Sequence, residues 1–278
     1  MSRRIVVALA LSLLALLAVR GEPQATPTPA DRTAAEKMLH DGNFKDALEI
    51  FQKLARDPKD DPLKVGQDLQ QSLACLQSLN RIDESDRLIE EVVDVHKGNW
   101  RLLATAGQAY LGLYPYGYIT GGEFHRGHAG GGRRYVSTFP RDRVRALQLM
   151  KQAMEKIATE KDSKLVANFH VQFASAMQNT YGGNGSWRLQ ELTDLAQLPD
   201  YEDGYRHYYG DQPGAPVEAD RTPVYYKVAK SFDDARNDGE RWRWALMQAV
   251  EYNSALKNTI RLQFADFLRG QFDVQTMR

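Results

Sequence analysis

The sequence predicts an all-α fold, a solenoid of helix-turn-helix repeats interrupted by Gly- and Tyr-rich loop insertions. Three observations carry this expectation. Apolar residues recur every three or four positions through most of the chain, the period of a helix with one buried face. One pattern, a small residue followed one turn later by a bulky one, occurs as Ala47 and Phe51 and again as Ala146 and Met150. The periodic stretches are separated by Gly, Asn, Asp and Pro, residues that end helices.

The clearest unit is Gly42 to Pro58, GNFKDALEIFQKLARDP. A turn residue opens it, Ala47, Phe51, Leu54 and Ala55 follow at helical spacing, and Asp57-Pro58 stops it, because proline cannot donate a backbone hydrogen bond and disfavours helix just before it. Ala47 is small enough for a neighbouring helix to approach closely, and Phe51 fills the gap one turn on. Thr33 to Leu39 supplies the partner helix, with Ala35, Met38 and Leu39 on one face. The unit resembles the second helix of a tetratricopeptide (TPR) repeat, a helix-turn-helix of about 34 residues. Ala47, Phe51, Ala146 and Ala245 are expected to determine the fold at helix contacts.

The next helix is expected to start at Asp60-Asp61-Pro62, with Val65, Leu69, Leu73 and Leu76 inward. Asn80-Arg81 turns the chain into a helix carrying Ile82, Leu88, Ile89, Val92 and Val93. A third pair begins at Trp100, with Leu103, Ala106, Gly107 and Tyr110, and an insertion at about 113–140 separates it from a helix resuming at Asp142 with Val144, Leu147, Met150, Ala153 and Met154. Lys164 to Met177 is a further helix, and Trp187 to Leu195 a short one. A second insertion, about 199–230, is dense in Tyr, Asp, Gly and Pro and ends in Val224 to Val228, read as a short strand or an extended arm. Ser231 reads as an N-cap with Asp233 and Asp234 in the first turn. Arg241 to Val250 packs through Ala245, Leu246 and Ala249. Asn258 to Leu268 carries the stripe Ile260, Phe264, Phe267 and Leu268. A first helix of this kind needs a second to cover it. The expectation is therefore a chain truncated at its C-terminus, with Phe264, Phe267 or Phe272 partly exposed, that self-associates or is stabilised when the sequence past Arg278 is restored.

The N-terminus reads as a targeting segment. Ser2-Arg3-Arg4 precedes an apolar run from Ile5 to Val19, so residues 1–21 are expected to be a signal peptide cleaved before Glu22, with an uncleaved anchor as the open alternative. Residues 22–32 form a Pro-rich linker and 33–278 the helical domain. Lys and Arg number 36 and so do Asp and Glu, a balance that argues against nucleic acid as a partner. The single cysteine, Cys75, lies among Leu73, Ala74 and Leu76 and reads as a buried structural thiol.

Two stretches offer chemistry. The first insertion places His125, Arg126, His128, Arg133 and Arg134 among seven glycines. His-x-x-His lacks a third ligand at fixed spacing, so neither metal nor cofactor is expected. Consecutive Gly N–H groups and arginine forks suit an anion or a partner's carboxylate, and the alternative is a structural loop packing its aromatics on the helices. The second insertion holds Asp200, Glu202, Asp203 and His207. Paired carboxylates serve glycoside hydrolysis, which keeps a hydrolase or carbohydrate-binding protein using residues 200–209 as the alternative function. Against it stands a loop whose tyrosines cover helices with their hydroxyls in water. No catalytic residue is assigned, and the chain is not expected to be an enzyme.

The strings GRRYVSTFPRDRVRALQLM, SWRLQELTDLAQLPDYEDGY and NDGERWRWALMQAVEYN, with the signal and the degenerate repeats, resemble the N-terminal helical region of large exported bacterial alpha-2-macroglobulin-family proteins. The resemblance covers nearly all of the chain past residue 21. It implies protease trapping by macroglobulin domains, some with a Cys-Gln thioester. The chain departs from that: Cys75 is followed by Leu-Gln-Ser rather than the C-x-E-Q pattern, and no macroglobulin β-sandwich is legible. No inhibitory residue carries over. The expectation is an exported, non-catalytic protein-interaction module, placed in the periplasm, cell envelope or medium. Its partner would be another protein or downstream domains of the same polypeptide, with no membrane contact after signal cleavage.

Overall fold

The computed structural model describes residues 29–128, 131, 133–179, 189–204, 218–220, 222 and 224–272. The expected signal and most of the expected linker lie outside them. Among the described residues there are nine α-helices: α1 (Pro29–His40), α2 (Phe44–Ala55), α3 (Val65–Ser78), α4 (Ser85–Val95), α5 (Trp100–Gly112), α6 (Phe139–Lys156), α7 (Ser163–Gln178), α8 (Asp238–Tyr252) and α9 (Lys257–Phe272). No helix among the described residues is long and apolar enough to cross a membrane.

The turns explain why the helices pair. After α1, Gly42 takes φ +82°, its N–H reaches Leu39 O at 3.2 Å and Asn43 N–H reaches Met38 O at 2.8 Å. After α3 the arrangement recurs: Asn80 takes φ +55°, its N–H meets Gln77 O at 3.1 Å and Arg81 N–H meets Leu76 O at 2.8 Å. Both close the helix with a left-handed residue that satisfies its last carbonyls. Asn99, Asp162 and Asn237 cap α5, α7 and α8 through side-chain oxygens that accept first-turn N–H groups.

Helices α1 and α2, α2 and α3, α3 and α5, α5 and α6, and α7 and α8 pack on one another, around a core that runs from Ala35 to Ile260. Ala47, Phe51, Ala146 and Ala245 are all fully buried. At Gly107 the α5 and α6 backbones come so close that a Cβ would lie 3.1 Å from Ala146 O and from Met150 Cγ.

The fold is mostly helical, in rough agreement with the all-α expectation, and it also carries a small antiparallel sheet. The first insertion forms β1 (Tyr116–Thr120), β2 (Glu123–Arg126) and β3 (Arg134–Ser137), and the second adds β4 (Glu202–Asp203), in the order β2-β1-β3-β4. Gly121 and Gly122, at φ +60° and +87°, make the two-residue hairpin turn between β1 and β2, which needs positive φ at both positions. Tyr118 pairs with His125 on one side and Tyr135 on the other. Gly117 is required where it stands, since a Cβ there would lie 2.3 Å from His125 O and from the Phe124 ring.

Several boundaries also differ. Helix α1 begins at Pro29, inside the expected linker. Helix α3 begins at Val65 rather than Asp60, because Asp61 Oδ1 accepts the Leu63 N–H and holds the chain in a turn. Helix α6 begins at Phe139, three residues before Asp142. The expected helix Trp187 to Leu195 is not formed over 191–195, where Thr193 donates its N–H to Asp238 Oδ1 and its carbonyl accepts from Arg241 Nη1. Residues 224–228 form no strand. Ser231 Oγ accepts the Asp234 N–H as an N-cap would, yet the helix starts only at Asp238, behind Asn237.

Candidate interaction groove and charged cleft

The sheet is fixed to the helices through Arg126, the last residue of β2. Its side chain is buried. Nε and Nη2 donate to the two Asp86 oxygens at 2.8 and 2.6 Å, and Nη1 and Nη2 donate to the two Asp142 oxygens at 2.8 and 2.9 Å. Nη1 also faces Tyr114 O at 2.7 Å, and Thr138 Oγ1 donates to Asp142 Oδ2 at 2.6 Å. Burial alone would disfavour the charge on Arg126, but the hydrogen bonds to Asp86 and Asp142 more than offset it and raise its pKa. Burial pushes the Asp142 carboxyl up, and Arg126 works against that shift. A buried pair of this kind holds elements in register and is costly to break from one side.

Two recesses flank Arg126. The first is a cleft of about 310 Å³ beside α4, α6 and residues 198–201. Arg145 reaches the Glu90 oxygens at 2.8 and 2.5 Å, and Tyr110 Oη donates to Glu90 at 2.6 Å. Burial raises the Glu90 carboxyl, but Arg145 and Tyr110 outweigh it and hold it below the usual range. The Tyr110 hydroxyl is pushed up, by burial first and then by Glu90. Arg141 donates to Pro199 O at 2.9 Å and lies over the Tyr201 ring, which stacks on Phe124 at 4.7 Å. The charged side chains lining this cleft are already engaged, Arg141 with a carbonyl and a ring and the others with one another.

The second recess is a groove of about 450 Å³ between α3 and α5, lined also by Tyr114, Arg126 and His128. Leu73, Ala74, Ile82 and Leu113 give it an apolar floor, and Gln70, Gln77 and Asn80 stand along it with exposed side chains. Those three side-chain amides have no hydrogen-bond partner among the described residues, so they are placed to meet the backbone or side chains of a bound chain.

The five insertion residues do not form one anion nest. Arg126 faces the helices and is occupied by carboxylates. His125 stacks on Tyr118 at 5.2 Å, and Arg133 lies over that same ring at 4.9 Å. His128 sits at the groove mouth, 4.9 Å from the Tyr114 ring. Arg134 makes an exposed ion pair with Asp203 at 2.6 Å. Of the second group, Glu202 and Asp203 are neighbours on β4 and point to opposite faces, Asp200 is exposed, and His207 lies outside the described residues. No cluster of three His, Cys, Asp or Glu is placed to hold a metal among the described residues. Cys75 is buried, and burial raises its thiol pKa, which leaves it unreactive.

Sequence reasoning missed the buried charges that tie the elements together. Arg143 donates to Asp238 at 2.9 Å, to Thr193 Oγ1 at 2.8 Å and to Met177 O at 3.0 Å. Thr193 Oγ1 also donates to Asp238, and Arg241 joins the same carboxylate at 3.2 Å. On α1, Arg32 grips Asp68 of α3 and Asp60 at 2.8 and 2.5 Å. A signal was available: Asp68, Asp142, Arg143, Asp238 and Arg241 each stand at positions where the helical period calls for an inward residue.

In comparison with known proteins, the chain matches no protein-family model, no curated protein and no solved structure.

Proposed function

We propose that the chain is a non-catalytic protein-interaction module, a TPR-like α-solenoid that holds a partner polypeptide in the groove between α3 and α5. The observation that carries the reading is the groove itself, an apolar floor edged by Gln70, Gln77 and Asn80 amides that the fold leaves unused. Solenoids bind along surfaces of this type without chemistry of their own. The matching turns at Gly42 and Asn80, and the packing of α1 with α2, α5 with α6 and α7 with α8, support the repeat reading. Arg126 of the insertion sheet borders the groove, which favours a role for the sheet in shaping it over a role as an anion site.

The N-terminal basic and apolar run supports export, and the three strings support a place at the N-terminal side of an alpha-2-macroglobulin-like protein. Those strings hold Arg143, Thr193 and Asp238, the residues that meet in one buried network. The test is a groove-blocked variant. Ala74→Arg fills the floor from an exposed position, and Leu113→Glu charges it. Each is expected to lose the protein that co-purifies with the full chain while melting like the parent. Retention of that protein by both variants would contradict the reading.

A further inference from the structure

Helix α9 carries a patterned flank. Lys257, Arg261, Phe264 and Leu268 fall at i, i+4, i+7 and i+11, one row of a helix. Lys257 and Arg261 are exposed, and Phe264 and Leu268 are half-buried. Phe264 and Phe267 lean on Trp242 of α8, with ring centres 5.7 and 4.6 Å away. Arg243 of α8 lies over the Phe264 ring, its Cζ 4.0 Å from the centre. Its Nη1 is shielded from solvent and has no acceptor among the described residues.

The contrast with the rest of the fold is informative. Arg32, Arg126, Arg143 and Arg241 are buried and each meets a carboxylate. Arg243 meets none among the described residues, and neither do Lys257 and Arg261. Burial lowers the Arg243 pKa. Helix α9 has three cations, Lys257, Arg261 and Arg269, against one carboxylate, Asp266, which is engaged with Arg269 at 3.2 Å. A half-shielded guanidinium beside apolar side chains and surplus positive charge is complementary to a surface of opposite pattern.

We propose that this face of α8 and α9 docks an acidic amphipathic helix, whose leucine-type side chains seat on Phe264 and Leu268 while its carboxylates pair with Arg243 and Arg261. The inference rests on reading the chain as an interaction module and adds a second surface, on different elements from the groove. A membrane fits less well, because the apolar side chains of the row are half-buried against α8 rather than projecting.

The full chain is titrated with three labelled synthetic helices: a leucine face with glutamate flanks, the same face with lysine flanks, and the glutamate helix with its leucines changed to serine. The glutamate helix is expected to bind about tenfold tighter than either other. It should lose about tenfold in the Arg243→Glu, Arg261→Glu double variant, and the lysine helix should gain there. Arg243→Gln with Arg261→Gln gives the same direction more gently if charge reversal unfolds the protein, which thermal melts report. Equal binding of the glutamate and lysine helices, a preference that survives reversal, or binding to phosphatidylglycerol vesicles and to no peptide would overturn the proposal. Ala74→Arg separates the two surfaces. Unchanged binding of the glutamate helix in that variant supports the α9 site, and its loss would move the contact to the groove, ending this proposal while the interaction-module reading stands.

Discussion

Arg143 Nη2 and Asp238 Oδ2 lie 95 residues apart in the chain and 2.9 Å apart in the fold. Through this bond α6 is tied to α8 across the second insertion, and Thr193 is drawn in between them. Both charged side chains are more than nine-tenths buried. Removing Asp238 leaves two guanidiniums, Arg143 and Arg241, without their shared carboxylate. Asp238→Ala is expected to destabilise the protein by about 3–5 kcal/mol, and urea unfolding measures it. A loss below about 1 kcal/mol would mean that the network only decorates the α6–α8 contact.

The same logic separates two arginines of the insertion. Arg126→Met leaves Asp86 and Asp142 facing each other at the base of the sheet and is expected to cost about 3–5 kcal/mol. Arg134→Ala removes an exposed, solvent-screened ion pair and should leave stability nearly unchanged. Hydrogen exchange adds a local readout: amides of β1 to β3 should lose protection in Arg126→Met and keep it in Arg134→Ala. Equal exchange in the two variants would contradict Arg126 as the sheet's anchor.

Two buried groups give opposite pH dependences. Burial raises the Asp68 carboxyl to about 6, with Arg32 opposing the shift and Asp60 adding to it. Its folded-state pKa lies above the unfolded value, so its contribution to stability is complete below about pH 4 and is lost as pH rises through 6. His170 is buried among Phe169, Trp244 and Tyr252, and desolvation lowers its pKa to about 4. Its contribution is complete above about pH 6.5 and is lost as pH falls toward 4. For His170 this amounts to up to about 3 kcal/mol across that window. Relative to the parent, Asp68→Asn should therefore gain stability between pH 4 and 7, and His170→Phe should gain it between pH 7 and 4. Parallel stability–pH curves for the parent and both variants would refute the assignment.

Overpacking tests the helix contacts. Ala47 is fully buried on α2, so Ala47→Leu should cost about 1–3 kcal/mol. Gly131→Ala meets no neighbouring atom, but its φ of +90° makes an alanine costly by about 1–2 kcal/mol. Thermal melts are expected to show a clear loss for Ala47→Leu, and a melting temperature equal to the parent's would remove Ala47 from the helix contact.

The helices were legible because each buries one stripe, and the stripe is written into the sequence at Ala47, Phe51, Leu54 and Ala55, and again at Ala146, Leu147 and Met150. The sheet was harder to see. Its strands are two to five residues long and its glycines read as loop, although Gly121-Gly122 between two aromatic segments is a hairpin signal. The helix expected over 187–195 failed for a nonlocal reason, because Asp238 and Arg241 claim the Thr193 backbone. Of the five insertion residues, only His128 and Arg126 border the groove. Sequence placed Arg126 in the right segment and missed its role, since Asp86 and Asp142 stand 40 and 16 residues away from it. The groove itself depends on how α3 and α5 pack, and no local pattern records that.

The most direct test of the interaction-module account is photo-cross-linking in living cells from two positions. A photoreactive residue at Gln77, in the groove, is expected to trap a discrete polypeptide, and Ala74→Arg should abolish that product. The same residue at Glu49, exposed on α2, should trap none above background. Equal products from both positions, or a Gln77 product that survives Ala74→Arg, would contradict the account.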